Sequence, residues 1–193
     1  MKGVKMKKNE NRKIIQCDES SSQVIKNPCA VKVKKEDLLF YYFVNSCMTV
    51  TLIFKDFMLG GHVSAQDPKN DKVTPARNLK KNLQKMFDLD KKKKQKPEKV
   101  SYVGNCGLPD KKFSKNKIDW ETEAANELIK KNFKIDNLDS ATESTEKSKN
   151  IVFDLKNNKF YMVDYKEITE EDTQDKIVGE ILKNQYCSQK IIL

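Results

Sequence analysis

The sequence predicts an α+β domain of the layered α/β sandwich kind, and three observations carry that prediction. The uncharged run LLFYYFVNSCMTVTLIF (Leu38–Phe54) is rich in β-branched and aromatic residues, the composition of strands. Two later stretches, Asn78–Leu89 and Trp120–Asn132, place apolar residues at helical spacing. A pair of strand-patterned segments closes the chain's central part, so the order is strands, helix, strand, helix, hairpin.

Taken in order, residues 1–22 (MKGVKMKKNENRKIIQCDESSS) are polar, without sustained periodicity, and read as a flexible basic tail. Gln23–Val33 suggests short strands around an Asn27-Pro28 turn. Leu38–Val44 reads as a strand, followed by an Asn45-Ser46-Cys47 junction. In Met48–Phe54, Met48, Val50, Leu52 and Phe54 share one face while Thr49, Thr51 and Ile53 share the other. Lys55-Asp56 turns the chain into a return strand, Phe57–Val63. Gln66–Ala76, with Pro68 and Pro75, is a polar loop before the helix Asn78–Leu89, whose apolar residues are Leu79, Leu83, Met86 and Phe87. A solvated Lys-rich connection (Asp90–Lys99) leads to the short strand Val100–Val103. The helix over Trp120–Asn132 is expected to bury Trp120, Ala124, Leu128 and Ile129. Asn137–Asn150 reads as a polar loop, and Ile151–Leu155 and Lys159–Asp164 form a hairpin whose Asn-rich turn suits positive φ. Glu167–Asn184 is a terminal helix. The domain limits expected are therefore 1–22 for the tail, 23–167 for the folded unit and 168–193 for a helical extension.

Composition narrows the function classes. The 193 residues are 37% hydrophobic and 34% charged, with a formal charge of +10, which is enough for one core bordered by polar segments. The positive excess is lysine; Arg occurs only at Arg12 and Arg77, too few forks for a dedicated nucleic-acid surface. Leu38–Phe54 is 17 residues long, at the lower limit of a bilayer span, and carries Asn45, Ser46, Thr49 and Thr51. Two strands in series fit it better than a membrane helix. Five cysteines at irregular spacing with a single His give no zinc pattern, and no metal or cofactor is expected.

One constellation carries chemistry. The only His lies 15 residues after Cys47. A turn centred on Lys55-Asp56 sets Thr49 opposite His62 and puts Cys47 one diagonal step away on the same face, about 7–8 Å at the backbone. A three-residue turn would reverse the face of His62. A thiol becomes a nucleophilic thiolate beside a base, and His62 is the only imidazole present. Asn45 and Ser46 bring the chain into the strand with backbone N–H groups available to an oxyanion. Gly60 and Gly61 would let a substrate backbone approach closely. Spacing alone leaves the plain alternative open: Cys47 as a small core residue and His62 as an ordinary histidine.

NSCMTVTLIFKDFMLGGHVSAQDP (Asn45–Pro68) resembles the active-site hairpin of the CheD family of chemoreceptor glutamine deamidases, which has a Gly-Ser-Cys opening (here Asn45-Ser46-Cys47), a hydrophobic strand, an Asp-containing turn, a Gly, a His and a closing Pro. The Cys-to-His distance is also similar to that of the cytotoxic necrotizing factor toxins. QVIKNP (Gln23–Pro28), the helix at Asn78–Leu89, VSYVGNCG (Val100–Gly107), ETEAANELIKKNFKI (Glu121–Ile135) and IVFDLKNNKFYMVDY (Ile151–Tyr165) follow the family's order, so the likeness spans about residues 23–167. The resemblance implies a central mixed sheet flanked by helices and cofactor-free conversion of a protein glutamine to glutamate. Cys47 would be nucleophile and His62 base, with Asn45, Ser46, Gly60 and Gly61 at the substrate. Tyr41 stands where the family has a Thr that orients the His; its hydroxyl, or a main-chain carbonyl as in the toxins, would take that part. The family's Gly-Gly pair and Arg before the final hairpin are replaced by SATESTEKSKN (Ser140–Asn150). The implied partner is a protein carrying a reactive glutamine, met by a monomer in a bacterial cytoplasm or, after secretion, in a host cytoplasm. Transglutamination, or a binding module of the same fold with catalysis lost, remains open on sequence.

Overall fold

A computed structural model describes residues 12–18, 29–66, 73–91, 95–104, 118–145, 147–164, 173–183 and 188–190. In chain order the elements are β1 (Ile14–Gln16), β2 (Ala30–Lys34), β3 (Leu38–Val44), β4 (Cys47–Ile53), β5 (Phe57–Ser64), α1 (Pro75–Leu89), β6 (Lys99–Gly104), α2 (Thr122–Phe133), β7 (Asp139–Ser144), β8 (Lys149–Asp154), β9 (Lys159–Asp164), α3 (Gln174–Lys183) and β10 (Ser188–Lys190). The α+β class stands. The single central sheet does not: the strands form two five-stranded sheets, ordered β1-β3-β8-β9-β10 and β2-β5-β4-β6-β7.

The cause lies in the uncharged run, where both faces of each strand are apolar. Met48, Val50, Leu52 and Phe54 pack outward with Leu79, Leu83, Met86 and Phe87 of α1 and Ala125, Ile129 and Phe133 of α2. The opposite face of the same sheet, with Val31, Val33, Ile53, Met58 and Val103, meets Leu39, Tyr41, Val44, Ile151 and Phe153 of the other sheet. That second sheet turns Leu38, Phe40, Val152 and Tyr161 to Val178 and Ile181 of α3. The layers therefore run helices, sheet, sheet, helix, the central strands being buried on both faces by a neighbour.

The hairpin β4–β5 has the predicted register, with Thr49 opposite His62 and Ile53 opposite Met58. Lys55-Asp56 forms the turn, closed by the Phe54 N–H donating to the Phe57 carbonyl at 3.0 Å and by stacked Phe54 and Phe57 rings 4.2 Å apart. Helix α1 begins one turn earlier than expected because Pro75 suits a first helical turn. It buries Leu79, Asn82, Leu83, Met86 and Phe87, an i, i+3, i+4, i+7, i+8 stripe. Helix α2 is rotated from the expected face: Ala125, Ile129 and Phe133 are buried, while Ala124 is exposed and Leu128 half-buried. Trp120 anchors its start in the core as expected. The β8–β9 turn places Asn158 at φ 51°, the left-handed conformation foreseen for it.

Three segments differ from the sequence reading. Ile14–Gln16, assigned to a flexible tail, pairs in parallel with Leu38–Phe40. Asp139–Ser144, assigned to a loop, is a parallel edge strand on β6. Its residues are half-buried or exposed, so it has no apolar alternation to read. The C-terminal extension contains β10, paired with β9, as well as α3. Gln23–Pro28, Cys106 and Cys187 lie outside the described residues.

Candidate active site

Cys47 opens β4 and Ser64, its cross-strand partner, closes β5, so the candidate nucleophile stands at the end of a ladder on the face between the sheets. His62 is the diagonal neighbour on that face, and its Nε2 lies 3.0 Å from Cys47 Sγ. The other ring nitrogen, Nδ1, lies 3.2 Å from the carbonyl oxygen of Cys17. A carbonyl only accepts, so Nδ1 carries the proton and Nε2 is left with its lone pair toward the thiol. Proton transfer then gives an imidazolium whose Nε2–H donates to the thiolate and whose Nδ1–H still donates to Cys17. This is the nucleophile, base and orienter arrangement of a catalytic triad, with a main-chain carbonyl as third member.

The carbonyl is delivered by the segment read as a tail. β1 lies beside β3, the Cys17 N–H donates to the Phe40 carbonyl at 3.0 Å, and the Cys17 thiol donates to the Gly60 carbonyl at 3.8 Å. Tyr41, the candidate orienter, does not use its hydroxyl on His62. It donates to the Val50 carbonyl at 3.1 Å and lies 2.8 Å from Thr51 Oγ1. Its ring instead meets the imidazole edge-on, with centroids 5.9 Å apart at 86°. Tyr41 therefore packs the base and does not hydrogen-bond it.

Ahead of Cys47, Asn45 and Ser46 are exposed. The Asn45 N–H donates to Cys47 Sγ at 3.4 Å, an interaction that favours a thiolate over a thiol. The thiol in turn reaches the Phe43 carbonyl at 3.9 Å. Cys47 and His62 are each 1% exposed, so the pair works in a low-dielectric setting where such contacts are strengthened. Gly60 and Gly61, expected at the substrate, are packed against side chains of the protein itself. A Cβ on Gly60 would meet the Tyr41 hydroxyl at 2.7 Å and both Leu39 methyls at 2.9 Å. One on Gly61 would collide with Asn82 Oδ1 and meet Met86 Sδ at 2.7 Å. The first glycine lets the second sheet close over His62; the second lets α1 approach β5.

Electrostatics separate the cysteines. Burial pushes the Cys17 thiol well above its ordinary range, so it stays protonated and does not compete as nucleophile. Burial raises the Tyr41 hydroxyl likewise, which keeps it neutral beside the imidazole. Among the described residues, Cys17, Cys29 and Cys47 are free thiols, and no three His, Cys, Asp or Glu side chains gather to hold a metal ion. No helix among them is long and apolar enough to cross a membrane.

Sequence reasoning foresaw the juxtaposition of Cys47 and His62 and missed Cys17, whose contribution is a backbone atom without residue signature. The available signals were the apolar Ile14-Ile15 pair and one of only two arginines in an otherwise polar stretch. No protein-family model matches the chain, and a search of curated proteins finds no match.

Proposed function

We propose that the protein is a cysteine-dependent protein-glutamine deamidase of the CheD-like, cytotoxic necrotizing factor-like kind. The observation that supports this best is the relay from Cys47 Sγ through His62 to the Cys17 carbonyl, at 3.0 and 3.2 Å. His62 takes the Cys47 proton, and the thiolate attacks the carboxamide carbon of a glutamine side chain. Backbone N–H groups near Cys47, other than that of Asn45, hold the tetrahedral oxyanion, and the carbon–nitrogen bond breaks as His62 returns its proton to departing ammonia. Water, deprotonated by His62, then cleaves the thioester, leaving glutamate and a free thiol. The exposed Asn45–Ser46 turn is the approach for the substrate side chain. The layered sheets, monomeric state and absence of any cofactor belong to the same reading. So does a site of action in a bacterial cytoplasm or, for an exported effector, in a host cytoplasm.

The test is intact-mass analysis of candidate protein substrates incubated with wild type, Cys47→Ala and His62→Ala. Wild type alone is expected to add the mass difference between amide and acid, each variant losing about four orders of magnitude or more in rate. A substrate converted equally by Cys47→Ala would exclude this chemistry. If no substrate is converted and Cys47 alkylates no faster than an ordinary thiol of pKa about 8.5, a binding module becomes the better description.

A further inference from the structure

The nucleophile's surroundings depend on an irregularity in β3. Tyr41 pairs with Ile151 and Val44 with Lys149, so Tyr42 and Phe43 together oppose the single residue Asn150. This is a β-bulge. It lets Tyr41 and Val44, three apart in sequence, both face the inter-sheet core, which an unbroken strand forbids. Phe43 occupies φ 52°, a conformation unfavourable for a bulky residue, and its side chain is 40% exposed, so packing offsets little of the strain. What holds it is polar: the Phe43 N–H donates to Asn150 Oδ1 at 3.1 Å, and Asn150 is 4% exposed. The bulge has a chemical consequence, because it directs both the Phe43 carbonyl, at 3.9 Å, and the Asn45 N–H, at 3.4 Å, to Cys47 Sγ.

We infer that Asn150 is a positioning residue for the nucleophile: by holding the Phe43 bulge, it aims the Asn45 N–H at Cys47 Sγ at 3.4 Å, a closer contact than the opposing Phe43 carbonyl at 3.9 Å, and so favours the thiolate. This role rests on reading Cys47 as the activated nucleophile. Asn150 touches no reacting atom, and its effect passes entirely through the β3 backbone. Glycine at position 43 adopts positive φ without strain, so it makes the bulge less dependent on the asparagine.

The experiment follows the rate of Cys47 carboxamidomethylation by iodoacetamide as a function of pH, resolved by peptide mass, in the full chain. It compares wild type, Asn150→Ala and Asn150→Ala/Phe43→Gly. Wild type is expected to titrate below the ordinary thiol value of about 8.5. Asn150→Ala is expected to move the midpoint up by about one pH unit and to slow reaction near neutrality about tenfold, the loss of one hydrogen bond to a charged group. Phe43→Gly added to it restores most of the difference. An Asn150→Ala profile superimposed on wild type overturns the positioning role, as does a double variant no faster than the single one, which would trace the loss to a packing defect. A wild-type profile like that of an ordinary thiol overturns the activated-nucleophile reading beneath it.

Discussion

Arg12→Ala is expected to slow the proposed deamidation by about two orders of magnitude, although Arg12 belongs to the segment that sequence alone describes as a tail. Its guanidinium grips Asp154 with both terminal nitrogens, at 2.8 and 2.7 Å, and its Nε donates to the Glu36 carbonyl at 2.7 Å. Asp154 is 2% exposed, and breaking such a buried pair by removing one partner costs about 3–5 kcal/mol. The chain has a cheaper response. β1 is a three-residue edge strand, so it can lift from β3 and admit water to Asp154 at the expense of a few hydrogen bonds. That release withdraws the Cys17 carbonyl, and His62 loses the acceptor that fixes its tautomer. The expected signature is thus a large rate loss and faster amide exchange at Ile14–Cys17, with global stability lowered by less than the full penalty. Arg12→Lys keeps the charge without the fork and falls between. Wild-type rate and exchange in Arg12→Ala would exclude the clamp.

The same pair gives the site an acid limit. Burial raises the Asp154 carboxyl, but hydrogen bonds from Arg12 and from the Asn157 side chain and backbone outweigh it and hold the group below its ordinary value. A carboxylate depressed in the folded state contributes stability that is present above its unfolded value of about 3.9 and is lost as pH falls through the folded one. β1 docking is therefore independent of pH near neutrality and fails in stronger acid, a dependence that Asp154→Asn should flatten.

Features written in side chains were legible beforehand. The β4–β5 register follows from strand alternation and the Lys55-Asp56 turn, and that register brings His62 to Cys47. The apolar stripe of α1 and the Asn158 turn follow from local rules of the same kind. Features written in backbone or in long-range pairing were not. β7 is polar because it is an edge, and β1 is held by pairing with β3 and by an ion pair to a residue 142 positions away. The bulge at Phe43 depends on an asparagine 107 positions away. Tyr41 and the glycine pair were recognised as belonging near the site, yet their parts are in packing, which depends on the second sheet lying over the first.

That distinction makes Gly60→Ala and Gly61→Ala the second informative pair. Were these glycines beside a substrate, alanine would raise KM and leave stability unchanged. Packed as they are, the expected order is reversed. On Gly61 a methyl displaces Asn82, whose Nδ2 donates to the Cys29 carbonyl at 3.0 Å, and pushes Met86 of α1 away from β5. Overpacking of this kind costs about 1–3 kcal/mol or more, read as a lower urea midpoint, while the rate of the proposed reaction per folded molecule changes little. On Gly60 the methyl instead meets the Tyr41 hydroxyl and Leu39. Tyr41 must then leave Thr51 and the Val50 carbonyl, and its ring tilts off the imidazole. Gly60→Ala should therefore lose kcat as well as stability, with KM nearly constant. A rise in KM alone in either variant would return that glycine to the substrate surface. Loss of kcat confined to Gly60→Ala would establish that the second sheet, by pressing Tyr41 against His62, is part of what keeps the base in line with Cys47.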